Sequence, residues 1–409
     1  MNTIIAKNKL DQLQLSASNE LDEILQWWKE NMLDNEHEGF YGQMDGNNQL
    51  FPDAHKGIIL NTRLLWSYSA ASRINKNAGY KALADRAYQY ILDHFWDVVY
   101  GGVYWMLDHQ GELVNGKKQI YAQSFAIYAF SEYYLLTKIP QSREKAIELF
   151  WLIERYSRDS QLGGYYEAFS EEWDHLDDLR LSEHDINEAK TMNTHLHVLE
   201  AYTNLYRIYQ HESLKQAIVH LINCFKNKFI NPLNHHLQLF FDESWQLKSH
   251  EISFGHDIEA SWLLYEAAEV IGDPLVLESC KKLSVDMTNA VIKRGLDLDG
   301  SLFNEGHGNA ITDDDKIWWT QAEAVVGFMN AFQLTGNLQY LENALSVWQF
   351  IEEYIKDDDN GEWFWRTDKV GTPIKGKEDK AGLWKAPYHN SRACIETIRR
   401  IDSIKKEPV

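Results

Sequence analysis

Gly101–Trp105 reads GGVYW. Gly163–Glu167, 62 residues on, reads GGYYE, and Gly39–Gly42, 62 residues back, reads GFYG. Fainter echoes follow at His236–Glu243 (HLQLFFDE), Gly300–Gly306 (GSLFNEG) and Gly361–Arg366 (GEWFWR). Each reads as a short strand with aromatics, flanked by turn residues. A period near 60 residues makes the chain a repeat before it is anything else.

Helical patterns lie on both sides of each strand. The preceding ones run roughly over Glu20–Asn31, Tyr80–Phe95, Ser142–Arg158, Ser213–Phe229, Pro274–Arg294 and Gln339–Lys356. In the third, Ala146, Leu149, Phe150 and Ile153 keep the three-or-four spacing of one buried face. A second, more apolar helix begins after each strand, near Lys56, Gln119, Thr191, Ser253, Ile317 and Tyr388. The more apolar set is expected inside. The unit is therefore outer helix, strand or hairpin, inner helix, six times over. That predicts an all-α fold, an (α/α)6 barrel with short β-hairpins at one rim, with residues 1–409 as a single catalytic domain. The competing architecture, an open α-solenoid, also stacks helix pairs. Closure is favoured because the count stops at six, with an outer helix at one end of the chain and an inner one at the other.

A net charge of −21 argues against nucleic acid or an anionic membrane as partner. Three scattered cysteines, Cys224, Cys280 and Cys394, fit a reducing compartment. MNTIIAKNKLDQLQL has no signal-peptide core, and no window reaches the ~20 apolar residues of a membrane span. The expectation is a cytoplasmic protein, a monomer or weak homodimer. The 15 Trp, 21 Tyr and 17 Phe exceed what a core needs and suit a sugar-binding surface.

In such a barrel the first turns of the inner helices gather at one rim. In order they supply Arg63; Tyr121 and Gln123; Asn193, His195 and His197; His256 and Glu259; Trp319, Gln321 and Glu323; then His389. His256 and Glu259 are i and i+3 and share a helix face, where a carboxylate would raise imidazole basicity. His195 and His197 point about 200° apart, so only one faces the axis. Of Trp318 and Trp319 only one need face the cavity, and His235 and His236 read as surface. Arg63, in IILNTRLLW, is costly to bury unless it is paired or used on ligand oxygens. In WKAPYHNSR (Trp384–Arg392), Trp384 and Tyr388 give flat faces for a sugar, and His389 titrates near neutrality. HxH and HxxE spacings are ligand-like, but no HExxH or CxxC accompanies them, so no metal is expected.

MNTHLHVLEAY (Met192–Tyr202), FGHDIEASWLL (Phe254–Leu264), WWTQAEA (Trp318–Ala324) and WKAPYHNSR resemble the N-acylglucosamine 2-epimerase superfamily. GHDIEASW and WKAPYHN are closer to its cellobiose branch than to its N-acylglucosamine branch. The resemblance implies cofactor-independent epimerisation at C2 of the reducing-end sugar of β-1,4-linked disaccharides, cellobiose becoming glucosyl-mannose and lactose epilactose. By motif, His256 and His389 would be the acid/base pair. Arg63 and His197 would hold the reacting oxygens, and Glu259 would support His256. Trp319 and Trp384 would flank the sugar rings, with Asn193, Tyr121, Asp185 and Glu323 as further contacts. The chemistry suits these residues: inversion at C2 needs an open-chain aldehyde, an enediolate, and two near-neutral bases. The alternatives are a monosaccharide or N-acylglucosamine epimerase or aldose–ketose isomerase of the same superfamily; an (α/α)6 glycoside hydrolase using two of Glu259, Glu323 and Asp257; and a non-catalytic sugar binder.

Overall fold

The inner helices start within two residues of where the strand echoes place them: α2 (Ile58–Asn75), α4 (Ile120–Thr137), α6 (Met192–Tyr206), α8 (Phe254–Ile271), α10 (Trp318–Thr335) and α12 (His389–Lys406). The outer helices are α1 (Asn2–Asn31), α3 (Ala78–Tyr90), α5 (Pro140–Tyr156), α7 (Glu212–Cys224), α9 (Pro274–Arg294) and α11 (Leu338–Phe350). This computed structural model describes residues 2–75, 77–183, 185–376 and 378–406. Successive inner helices pack on one another, and α12 returns to α2, which closes the ring and excludes a solenoid. Each outer helix packs on the inner helix before it, and α1 packs on α12.

The rim closes as well. The strand leading into each inner helix pairs with the next repeat: Lys56–Gly57 with Met106–Leu107, Lys118–Gln119 with Ala168–Phe169, Lys190–Thr191 with Phe240–Phe241, Glu251–Ser253 with Glu305–His307, and Lys316–Ile317 with Arg366–Thr367. Asp379–Ala381 then pairs with Met44–Asp45, joining the last repeat to the first. No helix among the described residues is long and apolar enough to cross a membrane.

A buried lysine–aspartate pair pins five of the six repeats. Lys56–Asp34 (2.7 Å), Lys118–Asp97 (2.6 Å), Lys190–Asp159 (2.7 Å), Lys316–Asp297 (2.7 Å) and Lys380–Asp357 tie the turn after an outer helix to the strand before the next inner one. In the fourth repeat both partners are replaced together, by Asn231 and Ile252. A second device lies three residues into the inner helices. Gln123 bonds both the N–H and the C=O of Val103, and Gln321 does the same for Leu302. His195 Nε2 accepts the Tyr165 N–H and Asp257 Oδ1 the Leu237 N–H. These side chains are structural, as one of the two histidines at 195 and 197 had to be.

Four readings change. The first outer helix begins at Asn2 rather than near Glu20, because Leu10, Leu13, Ala17, Leu21 and Ile24 continue its buried stripe. The last inner helix is not apolar: HNSRACIETIRRIDSIKK buries Arg392, Glu396 and Arg400, and pairing makes that tolerable. His236 is not a surface residue; it is buried, with Nδ1 2.7 Å from Asp257 Oδ2. Three outer helices end in a five-residue π-helical turn, Ile91–Phe95, Phe225–Phe229 and Ile351–Ile355, which the 3.6-residue period could not reveal.

Candidate active site

The first turns of the inner helices surround a cavity of about 260 Å³. Its walls include Arg63, Tyr121, Asp185, Asn193, His197, His256, Glu259, Trp319, Trp384 and His389, ten of the eleven residues singled out above. The eleventh, Glu323, is fully buried behind His389 and does not face the cavity, so it is not placed as a substrate contact. Tyr388 is also fully buried; it offers no stacking face, and its hydroxyl donates to Glu200 Oε1 at 2.5 Å. Leu181, Ser182, Trp318 and Trp365 also line the cavity and were missed. Trp365 was findable, since it ends the GEWFWR echo. Both Trp318 and Trp319 reach the cavity, against the expectation that one would suffice.

Arg63 is almost fully buried. Its guanidinium donates to the Tyr121 hydroxyl at 2.9 Å and to the Trp384 carbonyl, and lies 4.7 Å from the Phe125 ring centre. Its Nε and the buried Oδ1 of Asn193 have no protein partner. Polar atoms left so in a cavity wall are costly unless a ligand meets them. The Tyr121 hydroxyl is held protonated by burial, its pKa pushed up to about 12 against the pull of Arg63.

Trp319 sits between two histidines, its ring 4.8 Å from His256 and 5.6 Å from His389. His389 Nδ1 is 2.7 Å from Glu323 Oε1, which turns Nε2 toward the cavity. Burial, with the charges of Arg63 and Arg392 and the neighbouring imidazoles, holds His389 well below the usual histidine range. His256 is lowered to about 4, mainly by burial; Glu259 opposes the shift and His197 adds to it. Its Nδ1 rests on Ser253 Oγ at 2.8 Å. Glu259 therefore favours a charged His256 only through space, while its hydrogen bond goes to Arg392; the expected His256–Glu259 contact is replaced by this division. Among the cavity histidines, His389 pairs directly with Glu323 and His197 with Glu200, the latter at 2.9 Å. His197 and Glu200 have the same i, i+3 spacing that drew attention to His256 and Glu259, so this pair was legible too.

Two imidazoles kept neutral by burial can each take a proton from carbon. A guanidinium with a free N–H can meet the oxygen charge that results. Of the three carboxylates a glycosidase pair could use, only Glu259 lines the cavity; Asp257 holds the Leu237 strand and Glu323 backs His389. Glu259, Glu323 and His389 offer ligand atoms within 4.8 Å of one another, the spacing of a metal site. Arg392 Nη2 already donates to both carboxylates, so this donor set is matched to a guanidinium.

Fold and cavity together define an (α/α)6 barrel equipped for acid–base chemistry on a carbohydrate. Residues 39–393 match the model of the N-acylglucosamine 2-epimerase (GlcNAc 2-epimerase) family, and the chain belongs to that family. It is 47% identical over 380 residues to a cellobiose 2-epimerase of Bacteroides fragilis, covering 92% of this chain and 95% of that one. It is 35% identical over 381 residues to a cellobiose 2-epimerase of Dictyoglomus turgidum, covering 93% and 96%. The solved cellobiose 2-epimerase of Bacillus thermoamylovorans B4167 superimposes with a TM-score of 0.91 at 38% identity, over 95% of this chain and all of that one.

Proposed function

We propose that the protein reversibly epimerises C2 of the reducing-end glucose of β-1,4-linked disaccharides, converting cellobiose to glucosyl-mannose and lactose to epilactose. The observation that carries this reading is the pair of imidazoles, His256 half-buried and His389 buried, lining one cavity on either flank of Trp319. The relatives named above, similar over more than nine-tenths of the chain, support the substrate class.

The open-chain aldehyde makes the C2 proton acidic. One histidine removes it through Nε2, giving an enediolate. The Arg63 guanidinium and His197 stabilise the charge on O1 and O2. The other histidine, which enters the step carrying a proton on Nε2, delivers it to the opposite face, and the reverse reaction exchanges their roles. Each transfer contributes about 10²–10⁴-fold. Trp319 and Trp384 stack on the sugar, and Tyr121, Asn193 and Asp185 bind its hydroxyls. No step calls for a metal or a nicotinamide.

The test is incubation with cellobiose in heavy water, followed by NMR. The reading requires glucosyl-mannose carrying deuterium at C2. Two free glucoses would establish a hydrolase, and unchanged cellobiose would refute the assignment. Rates on lactose, mannose and N-acetylglucosamine then separate a disaccharide enzyme from a monosaccharide one.

A further inference from the structure

The cavity histidines are held from below by one buried arginine. Arg392, in the first turn of α12, is fully buried. Its Nη1 donates to Glu200 Oε1 and to the Tyr388 hydroxyl. Its Nη2 donates to Glu259 Oε1 and Glu323 Oε1, each at 2.5 Å. The guanidinium plane lies 4.4 Å from the ring centre of Tyr388 and 4.9 Å from that of Trp262. The three carboxylates come from α6, α8 and α10, and each serves a different histidine. Glu200 bonds His197 Nδ1, Glu323 bonds His389 Nδ1, and Glu259 acts electrostatically on His256.

We propose that Arg392 is a positioning residue that ties His197, His256 and His389 into one unit, acting through Glu200, Glu259 and Glu323. Three carboxylates from three helices converge on one rigid fork of N–H donors, and a flexible ammonium could not span them. A carboxylate that turns away from Arg392 loses a charge-assisted hydrogen bond. It also releases the imidazole it orients. The arrangement therefore sets where each Nε2 points, and it balances three buried acids with one fixed cation. Burial and the neighbouring carboxylate raise the Glu323 carboxyl above its usual range while Arg392 pulls it back, so the hub also sets how readily His389 can share charge with its partner.

This inference rests on the epimerase reading for its kinetic test, so a second readout needs no substrate. Glu200→Gln, Glu323→Gln and the double variant are assayed on cellobiose. Independent partners of separate histidines would give losses in kcat that multiply. A shared hub makes the double variant fall short of that product by about tenfold, as coupled groups do. Multiplying losses overturn the proposal. In parallel, the imidazole signals of nitrogen-15-labelled histidine are compared in wild type and Glu323→Gln without sugar. The hub requires the His197 signals to move along with those of His389. Movement confined to His389 overturns it, whatever sugar the enzyme turns over. Arg392→Lys keeps the charge and removes the fork; kcat should fall about 100-fold, the lower edge of one proton transfer, with KM within about threefold of wild type. A folded Arg392→Lys enzyme with wild-type kcat refutes the role.

Discussion

Lys118→Ile, made with and without Asp97→Asn, tests how the repeat is held together. Lys118 Nζ lies 2.6 Å from Asp97 Oδ2, and both side chains are completely buried. Asp97 also accepts the N–H groups of Val99 and Tyr100, at 2.8 and 2.9 Å. Together with Lys118 these bonds hold its carboxyl below the usual range despite burial. Removing the ammonium strands a buried carboxylate on two backbone donors. Breaking such a pair from one side costs about 3–5 kcal/mol. Replacing both members by uncharged groups of similar bulk is close to neutral. The fourth repeat already does this: Asn231 stands where the aspartate stands, its Oδ1 still accepts the Leu233 N–H at 2.9 Å, and Ile252 stands where the lysine stands. Lys118→Ile alone should therefore lose about 3–5 kcal/mol, and the double variant less than about 1.5 kcal/mol. Urea unfolding followed by circular dichroism and tryptophan fluorescence reads both values, with m checked for constancy. A single variant costing under about 1 kcal/mol, or a double variant costing as much as the single, would refute the account of the pairs as the clamp of the repeat.

His256→Asn and His389→Asn should each lower epimerisation more than about 100-fold. Residual exchange of the C2 proton should differ between gluco and manno substrates, because one base is left on one face; a retained rate above a hundredth removes that histidine from the role. Trp384→Ala should weaken disaccharide turnover strongly and leave the helical spectrum unchanged, since its ring is half-buried and has Trp105 and Tyr121 as aromatic neighbours, with ring centres 5.8 and 6.1 Å away; wild-type rates on cellobiose would rule out stacking. The abstracting histidine works neutral, and burial lowers the pKa values of both histidines, His256 to about 4. Activity should thus be intact at pH 6.5 and fall only as pH drops toward the depressed values; an acid limb of kcat/KM centred at 6.5 or above contradicts this. Exhaustive chelation should leave the rate unchanged, because Arg392 already occupies the acidic cluster; loss with EDTA, restored by one divalent ion, would show otherwise.

The barrel was legible because two periods overlap in the chain, the 3.6-residue stripe of the helices and the spacing of about 62 between aromatic strands. Individual stripes were less safe. The first 19 residues carry weak apolar content and were left out of α1, although their buried side chains keep the spacing. The cavity wall was legible because residues near the start of an inner helix must reach the rim. What sits behind the wall was not. The family resemblance makes Glu323 a substrate contact, and only its bonds to His389 and Arg392 show that it backs a histidine. The loop bearing Leu181 and Ser182 has no period to read. The lysine–aspartate pairs escaped because each partner sits in a different part of its repeat, with no shared stripe to mark them.

The division between scaffold and chemistry follows from helix geometry. The residue three places after the start of an inner helix holds the neighbouring strand: Gln123, His195, Asp257 and Gln321. The residue two places further on turns about 200° away. At that position stand Arg63, Phe125, His197, Glu259 and Glu323, which point inward to the cavity or the charged layer beneath it. The strand-holding set repeats in kind over these four repeats, because their neighbouring strands ask for the same backbone contact. The inward set differs at nearly every place, because one sugar carbon is approached from several directions at once. Phe125 illustrates the point: it carries no chemistry of its own, but its face supports the Arg63 guanidinium, and its ring lies 4.9 Å from His197. α12 breaks the register, because residues Gly382–Tyr388 intervene between the last strand and the helix. That insertion and the first turn of α12 place Trp384 and His389 in the cavity wall and Arg392 buried behind it, from nine consecutive residues of chain.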